Sequence, residues 1–367
     1  MRFHDLDALR AFAMSLGVVL HGAVFLVSAG EWPVKDAWSN TVEDTANPYA
    51  FLILIIHGFR MQTFFLLSGF FTAMLWQSRG LLRLAKHRFQ RIVVPLLIGM
   101  LTIIPINTLL FEGPSFNPLT EWGIAWLTGF DHLWFLWFLI WMIGIFFLLT
   151  LVGVKFTSRL WWLLIPLTVV PMYFMEEAVF GADTLEIITL VWPPVNILVY
   201  YALFFFFGVF FFQKKFQIQK WWTYFIIPCL LIAFPVSLLL IFPEMLLEST
   251  SSNWTWLGAA VLQTVYSWLM CFGMMGLFHM IAHKERFWIR YMSDASYWIY
   301  LWHLPLIILG QMMIVSWAVN PHLKFIVLCT IVLAVLLVTY QTGVRYSVIG
   351  TLLNGPRKRR LTGIANQ

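Results

Sequence analysis

Long apolar stretches alternate with short polar ones along the whole chain. Runs of about twenty hydrophobic residues, the length a helix needs to cross ~30 Å of hydrocarbon, occupy 8–28, 50–76, 92–111, 133–153, 159–175, 196–212, 222–242, 255–281, 295–315 and 323–343. The fifth run is the shortest and carries Pro166 and Pro171, so it is the least regular of the ten. The first lacks a small-residue cleavage site and opens a series of similar runs, which makes it a span rather than a signal peptide. The pattern predicts an all-α, polytopic integral membrane protein with about ten transmembrane helices. One transmembrane domain covers 1–345, and a short basic cytoplasmic tail follows over 346–367.

The distribution of charge sharpens that count. Alternate segments from the N-terminus, 1–10, 79–91, 155–159, 214–220, 284–294 and 345–360, hold 20 Lys or Arg and four acids. The remaining loops hold 13 acids and two bases, Lys35 and Lys324, which leaves Arg60 inside a span. Basic flanks resist translocation and stay in the cytoplasm. Ten spans with both termini cytoplasmic is the most economical arrangement that preserves this segregation.

Composition agrees. Hydrophobic residues make up 61% of the 367 and charged residues only 11%, against roughly 25% charged in soluble domains. Lipid must therefore be the main solvent, and the 20 Trp fit rings at both interfaces. The net charge of +6 does not indicate nucleic acid. Its one dense run, Arg357-Lys358-Arg359-Arg360, reads as an anchor at anionic lipid. Cys229, Cys271 and Cys329 all lie in apolar runs without paired spacing, so neither a disulfide framework nor a zinc site is expected.

Ionisable groups inside a bilayer are costly and usually face a cavity. Arg10 and His21 lie eleven positions apart, about three helical turns and ~16 Å. They share a face, with His21 placed near mid-membrane. Arg60 lies some ten residues into the second span, and no acid falls at matching depth. Its guanidinium needs carbonyls, water or a substrate anion there. Gln62, two residues on, points elsewhere on the helix. Ser296, Tyr300 and His303 are spaced by four and three and line one face of the ninth span. His132 opens the fourth span, either as an interfacial anchor behind an Asp131 cap or as a residue contacting an acceptor.

Two other patterns carry less. His279 and His283 are four apart, a spacing compatible with a metal, but neither a third ligand nor an HExxH-type glutamate accompanies them, so no metal is expected. Ser68-Gly69 reads as a close helix approach rather than a nucleophile. No GxSxG, phosphate loop or dinucleotide fingerprint is present.

These residues resemble the acyltransferase-3 family of bacterial inner-membrane acyltransferases. The likeness rests on Leu6-Asp7-x-x-Arg10 followed by His21, on Phe64-Phe65-x-x-Ser68-Gly69-Phe70, on Arg91-x-x-x-Pro95 and on Tyr300-x-x-His303-x-Pro305. Phe59-Arg60-Met61-Gln62 and His132-Leu133-Trp134-Phe135-Leu136 carry a nearer similarity to the glucan-modifying branch. The resemblance implies transfer of an acyl group, succinyl or acetyl, from cytoplasmic acyl-CoA to a hydroxyl of a periplasmic glucan or other envelope carbohydrate. Acyl-CoA would be a co-substrate, with no bound cofactor. It makes His21, Arg10, Arg60 and His303 the expected catalytic set. Asp7, Gln62, His132, Trp134, Ser296 and Tyr300 form the expected substrate-contacting set. Lipid is the other partner, nucleic acid is not one, and a homodimer is compatible.

A transporter or channel for an anionic or glycan substrate is the competing class, because such proteins also hold His and Arg at mid-membrane. The inverted repeats and broken helices common in transporters are not found in this sequence. A purely structural subunit of a glycan assembly explains Arg60 and His21 poorly.

Overall fold

The computed structural model describes residues 3–28, 32–43, 46–113, 129–175, 179–180, 193–242 and 252–355. The basic run at 357–360 lies outside them. Among the described residues there is no strand. Nine helices among the described residues are long and apolar enough to cross a membrane: α1 His4–Val24, α2 Pro48–Arg79, α3 Leu81–Glu112, α4 Asp131–Leu151, α6 Val195–Gln213, α7 Lys220–Ile241, α8 Asn253–Ile281, α9 Phe287–Ile314 and α10 Pro321–Val344. A shorter apolar helix, α5 Trp161–Tyr173, sits between α4 and α6. A last short helix, α11 Val348–Asn354, follows α10. Helices dominate because hydrocarbon offers no partner for a backbone amide, and an α-helix satisfies its own.

The expected fifth span is thus the short one. Thirteen residues rise only ~20 Å, and α5 is interrupted at Thr168, between Pro166 and Pro171. Trp268 of α8 donates its indole N–H to the Thr168 hydroxyl at 2.9 Å across this break. Side-chain contacts show that α5 still carries the chain from one end of the bundle to the other. Just before it, the Thr157 carbonyl accepts from Lys214, which follows α6. At its far end, the Tyr173 carbonyl accepts from Trp256 at the start of α8. The same parity places Asp5, at the start of α1, against His279, at the end of α8. Eight passages separate these two residues only when α5 is counted as one. The opposite end is tied by a buried ion pair, Lys324 Nζ to Asp36 Oδ2 at 2.7 Å. That pair accounts for one of the two bases among otherwise acidic loops.

Packing centres on α2. A Cβ added to Gly69 would lie 1.8 Å from the Phe205 carbonyl oxygen, and one added to Gly208 would lie 1.9 Å from that of Leu66. The backbones of α2 and α6 therefore touch directly, as small residues allow in membrane helices. This is the close approach expected of Ser68-Gly69.

Proline sets the irregularities. A π-turn over Phe89–Val93 precedes Pro95 in α3. Pro95 has no N–H to give the carbonyl four residues back, that of Arg91. The Tyr297 hydroxyl of α9 donates to that carbonyl instead, at 2.6 Å. Before this turn, α3 is basic over Leu81–Arg88; after it, α3 is apolar.

Gly208→Leu is expected to force α2 and α6 apart and to lower stability by at least ~1–3 kcal/mol. Gly144→Leu, whose added Cβ meets nothing within 4 Å, should stay within ~0.5 kcal/mol of wild type. Thermal unfolding of both variants in detergent checks the contrast.

Candidate functional site

The site is built outward from a break in α9. Pro305 has no N–H for the Leu301 carbonyl, which an uninterrupted helix would satisfy. His132, at the start of α4, fills that place with Nε2 3.1 Å from the Leu301 oxygen. One residue earlier, the Tyr300 carbonyl takes His303 Nδ1 at 2.7 Å. The Tyr300 hydroxyl returns to the His132 carbonyl at 2.8 Å. The motif Tyr300-x-x-His303-x-Pro305 therefore has a mechanical meaning. The proline releases a carbonyl, and the imidazoles of two helices are held by this stretch of backbone. Each ring gives its proton to a carbonyl, so the other nitrogen is left as an acceptor. Those atoms, His132 Nδ1 and His303 Nε2, are buried with no hydrogen-bond partner among the described residues. The ring centroids stand 5.1 Å apart.

His132 reaches this position through an unusual backbone. Asp131 adopts φ +41, a left-handed conformation uncommon for residues other than glycine. Its carboxylate does not cap the helix but accepts from Asn107 Nδ2 at 2.9 Å. His132 is buried rather than an interfacial anchor.

His21 joins from α1, its ring centroid 5.2 Å from that of His303. Its Nδ1 is likewise buried and without a partner among the described residues. The helix ends at Val24, short of the expected 28. His21 therefore occupies the last turn rather than the middle of its helix. A carbonyl in the last turn has no partner within its own helix, and Gln311 of α9 supplies one, Nε2 to the His21 oxygen at 2.9 Å. Gln311 Oε1 in turn accepts from the Trp32 indole at 2.8 Å. The Trp32 ring stacks over His21 at 6.0 Å.

Arg60 completes the group from α2. It lies within electrostatic reach of His21, His57, His132 and His303. The ion pairs among the described residues are Arg10–Asp7, His279–Asp5, Arg290–Glu285 and Lys324–Asp36. None involves Arg60, and its Nε is buried without a partner among those residues. Gly17 makes the space. A Cβ there would stand 2.9 Å from Arg60 Nη1 and 3.0 Å from His303 Nε2. The guanidinium and a free imidazole nitrogen thus converge on one backbone position of α1, a turn before His21.

Of the expected catalytic residues, His21, Arg60 and His303 meet, together with His132 and Tyr300. Arg10 stands apart, eleven residues and ~16 Å along α1. It bonds Ser293 Oγ and Asp7, each at 3.3 Å, over the Phe71 ring. Arg88 and Arg91 lie within its electrostatic reach, forming a cationic patch at the end of the bundle where α1 begins. Arg88 is fixed there by Thr72 at 2.7 Å. Ser296, also on this side of α9, is occupied by the Ser293 carbonyl.

Two expected contacts face elsewhere. Gln62 donates to the Tyr200 hydroxyl at 3.3 Å, within a network that continues through Ser267 to the Gly58 carbonyl. Trp134 packs on Phe65, Phe138 and Tyr201. Both occupy the α2–α4–α6 side because two residues along a helix rotate a side chain by more than a right angle. Sequence reading missed His57, Gln311, Gly17 and Trp32. His57 lies three residues before Arg60 on the same face, and Gln311 extends the Ser296–Tyr300–His303 stripe by eight. Gly17 and Trp32 carry no such signal.

An acyltransferase-domain model matches residues 3–341. Glucans biosynthesis protein C of Escherichia coli K12 is 37% identical over 108 residues, 29% of this chain and 25% of that protein. Those of Salmonella paratyphi B and Salmonella heidelberg match to the same extent. The chain thus spans about a quarter of the length of the curated relatives it matches. No solved structure matches.

Pro305→Ala is expected to restore an N–H to Leu301 and to evict His132 from that carbonyl. Melting temperature should hold or rise while activity falls at least tenfold. Full activity in this variant would show that the proline has no role in placing His132.

Proposed function

Because this chain belongs to the acyltransferase-3 family, we propose that it is a multi-pass enzyme of the bacterial inner membrane that moves an acyl group from cytoplasmic acyl-CoA to a hydroxyl of a periplasmic glucan or related envelope carbohydrate. The named relatives act in glucan biosynthesis by their names. The acyl group is succinyl or acetyl. The basic end of the bundle faces the cytoplasm, following the segregation of Lys and Arg.

The observation that carries this reading is the meeting of the Arg60 guanidinium and the His303 imidazole beside Gly17, with the rings of His21 and His132 each within about 5 Å of that of His303. His21 acts as general base. As the sugar oxygen attacks the thioester carbonyl, its proton passes to the imidazole. Negative charge grows on the carbonyl oxygen, and the Arg60 guanidinium stabilises that oxyanion. Collapse expels the CoA thiolate, which takes the proton back, and the ester is formed. Tyr300, His132 and His303 hold the geometry, and the free nitrogen of His303 accepts a hydrogen bond from acceptor or donor. A dicarboxylic acyl group would present its second carboxylate to the same cation.

Arg10, Arg88 and Arg91 bind the phosphates of the donor at the cytoplasmic mouth. The ~16 Å from Arg10 to His21 suits an extended pantetheine arm that carries the thioester inward. The acceptor enters from the opposite end, past Trp32.

His21→Ala is expected to lower transfer by about 10²–10⁴-fold, measured with labelled acyl-CoA and glucan acceptor on purified protein. Transfer at the wild-type rate would remove His21 from the chemistry. Arg10→Ala should raise KM for the CoA thioester and leave KM for a pantetheine thioester without phosphates unchanged. Equal effects on both donors would contradict a phosphate-binding role.

A further inference from the structure

The start of α1 and the end of α8 meet at the basic end of the bundle, away from the imidazole group described above. Asp5 Oδ2 accepts there from His279 Nδ1 at 2.7 Å. The His283 ring lies 4.9 Å from that of His279. The carboxylate oxygen and the two imidazole nitrogens all fall within 4.8 Å of one another. Asp5 is buried, His279 is partly buried and His283 is exposed, so the group is open on one side only. It lines a cavity of about 590 Å³ that also carries His4 and Lys215 on its wall.

An ion pair that staples the N-terminus to α8 would need His279 alone. It does not account for His283, which lies beyond the end of α8 at Ile281. The chain has left the helix there, so helical geometry does not enforce the approach of the second ring. The Asp5 carboxylate is also oriented, its Oδ1 accepting from the Leu6 amide at 2.9 Å. Two imidazoles and one aligned carboxylate are the donor set that suits zinc and its first-row neighbours, whereas magnesium and calcium prefer oxygen alone.

We propose that Asp5, His279 and His283 form a binding site for a divalent transition metal ion, zinc by preference, with its fourth position open to the cavity. Zinc bonds of about 2.0–2.1 Å set tetrahedral ligands about 3.4 Å apart. Binding therefore displaces the proton shared by Asp5 and His279 and opens that pair by roughly 0.7 Å. The bound ion cross-links α8 to the helix that bears Arg10 and His21. The sequence hides this arrangement, since Asp5 and His279 are 274 positions apart. No metal was expected for want of a third ligand, and the fold supplies one.

The test uses the full chain, free of any polyhistidine tag, purified in detergent and stripped with chelator. Titration with Co²⁺ is expected to give the intense visible bands of tetrahedral cobalt at one ion per chain, bleached by Zn²⁺. Zinc should also raise the melting temperature of wild type in a concentration-dependent way. His283→Ala, an exposed change outside the helix, and Asp5→Asn should each weaken zinc binding at least tenfold and abolish the thermal shift. The proposal is overturned if wild type binds no ion, or if it binds one that both variants bind equally well. The readout is metal binding, so it stands or falls independently of the acyl-transfer reading.

Discussion

A guanidinium cannot be left bare in hydrocarbon, and the organisation around Arg60 follows from that constraint. The group is charged at any physiological pH and carries five N–H donors. No carboxylate pairs with it among the described residues. What lies within its electrostatic reach instead are imidazoles of three other helices, those of His21, His132 and His303. A cation with no permanent anion is ready for a transient one. An oxyanion or a substrate carboxylate completes the arrangement, whereas a resident Asp or Glu would occupy it.

Holding imidazoles in that position requires fixed acceptors for their other nitrogens. The α-helix normally consumes every carbonyl, so a span has none to offer. Pro305 creates one at Leu301 and Pro95 creates another at Arg91, and each is taken by a side chain from a different helix. His21 uses the other source of free carbonyls, the end of its own helix, where Gln311 docks. The irregular points of the bundle are thus the points at which helices are registered to one another. A proline in a membrane helix acts here as a socket rather than only as a kink.

The bundle separates its tasks by depth. Arg10, Arg88 and Arg91 gather at the end where α1 begins, and the imidazoles gather beyond its middle, toward the end where it stops. The tight α2–α6 contact at Gly69 and Gly208 lies beside this axis and carries no ionisable group. It fixes α6 directly against the helix that bears Arg60. Precision of that kind depends on close packing of the helices that bear the site.

The class of molecule, the segregation of charge and nine long apolar helices with a weak, proline-bearing fifth run were legible in the linear chain. These are one-dimensional properties. Hydropathy is summed along a segment, and the cost of burying charge is charged to that segment alone. The sequence also singled out His21, Arg60, His303 and Tyr300, because an ionisable or polar group in an apolar run is visible without knowing its neighbours. Which of the candidates meet was settled by how the helices pack. That packing moved Arg10 to a separate patch and turned Gln62 and Trp134 toward other helices. It set His21 in the last turn and added Gly17, whose role is a missing side chain. Asp5 and His279 came together in the same way. Convergence depends on helix rotation and on contacts between residues hundreds of positions apart, and a linear pattern of hydrophobicity specifies neither.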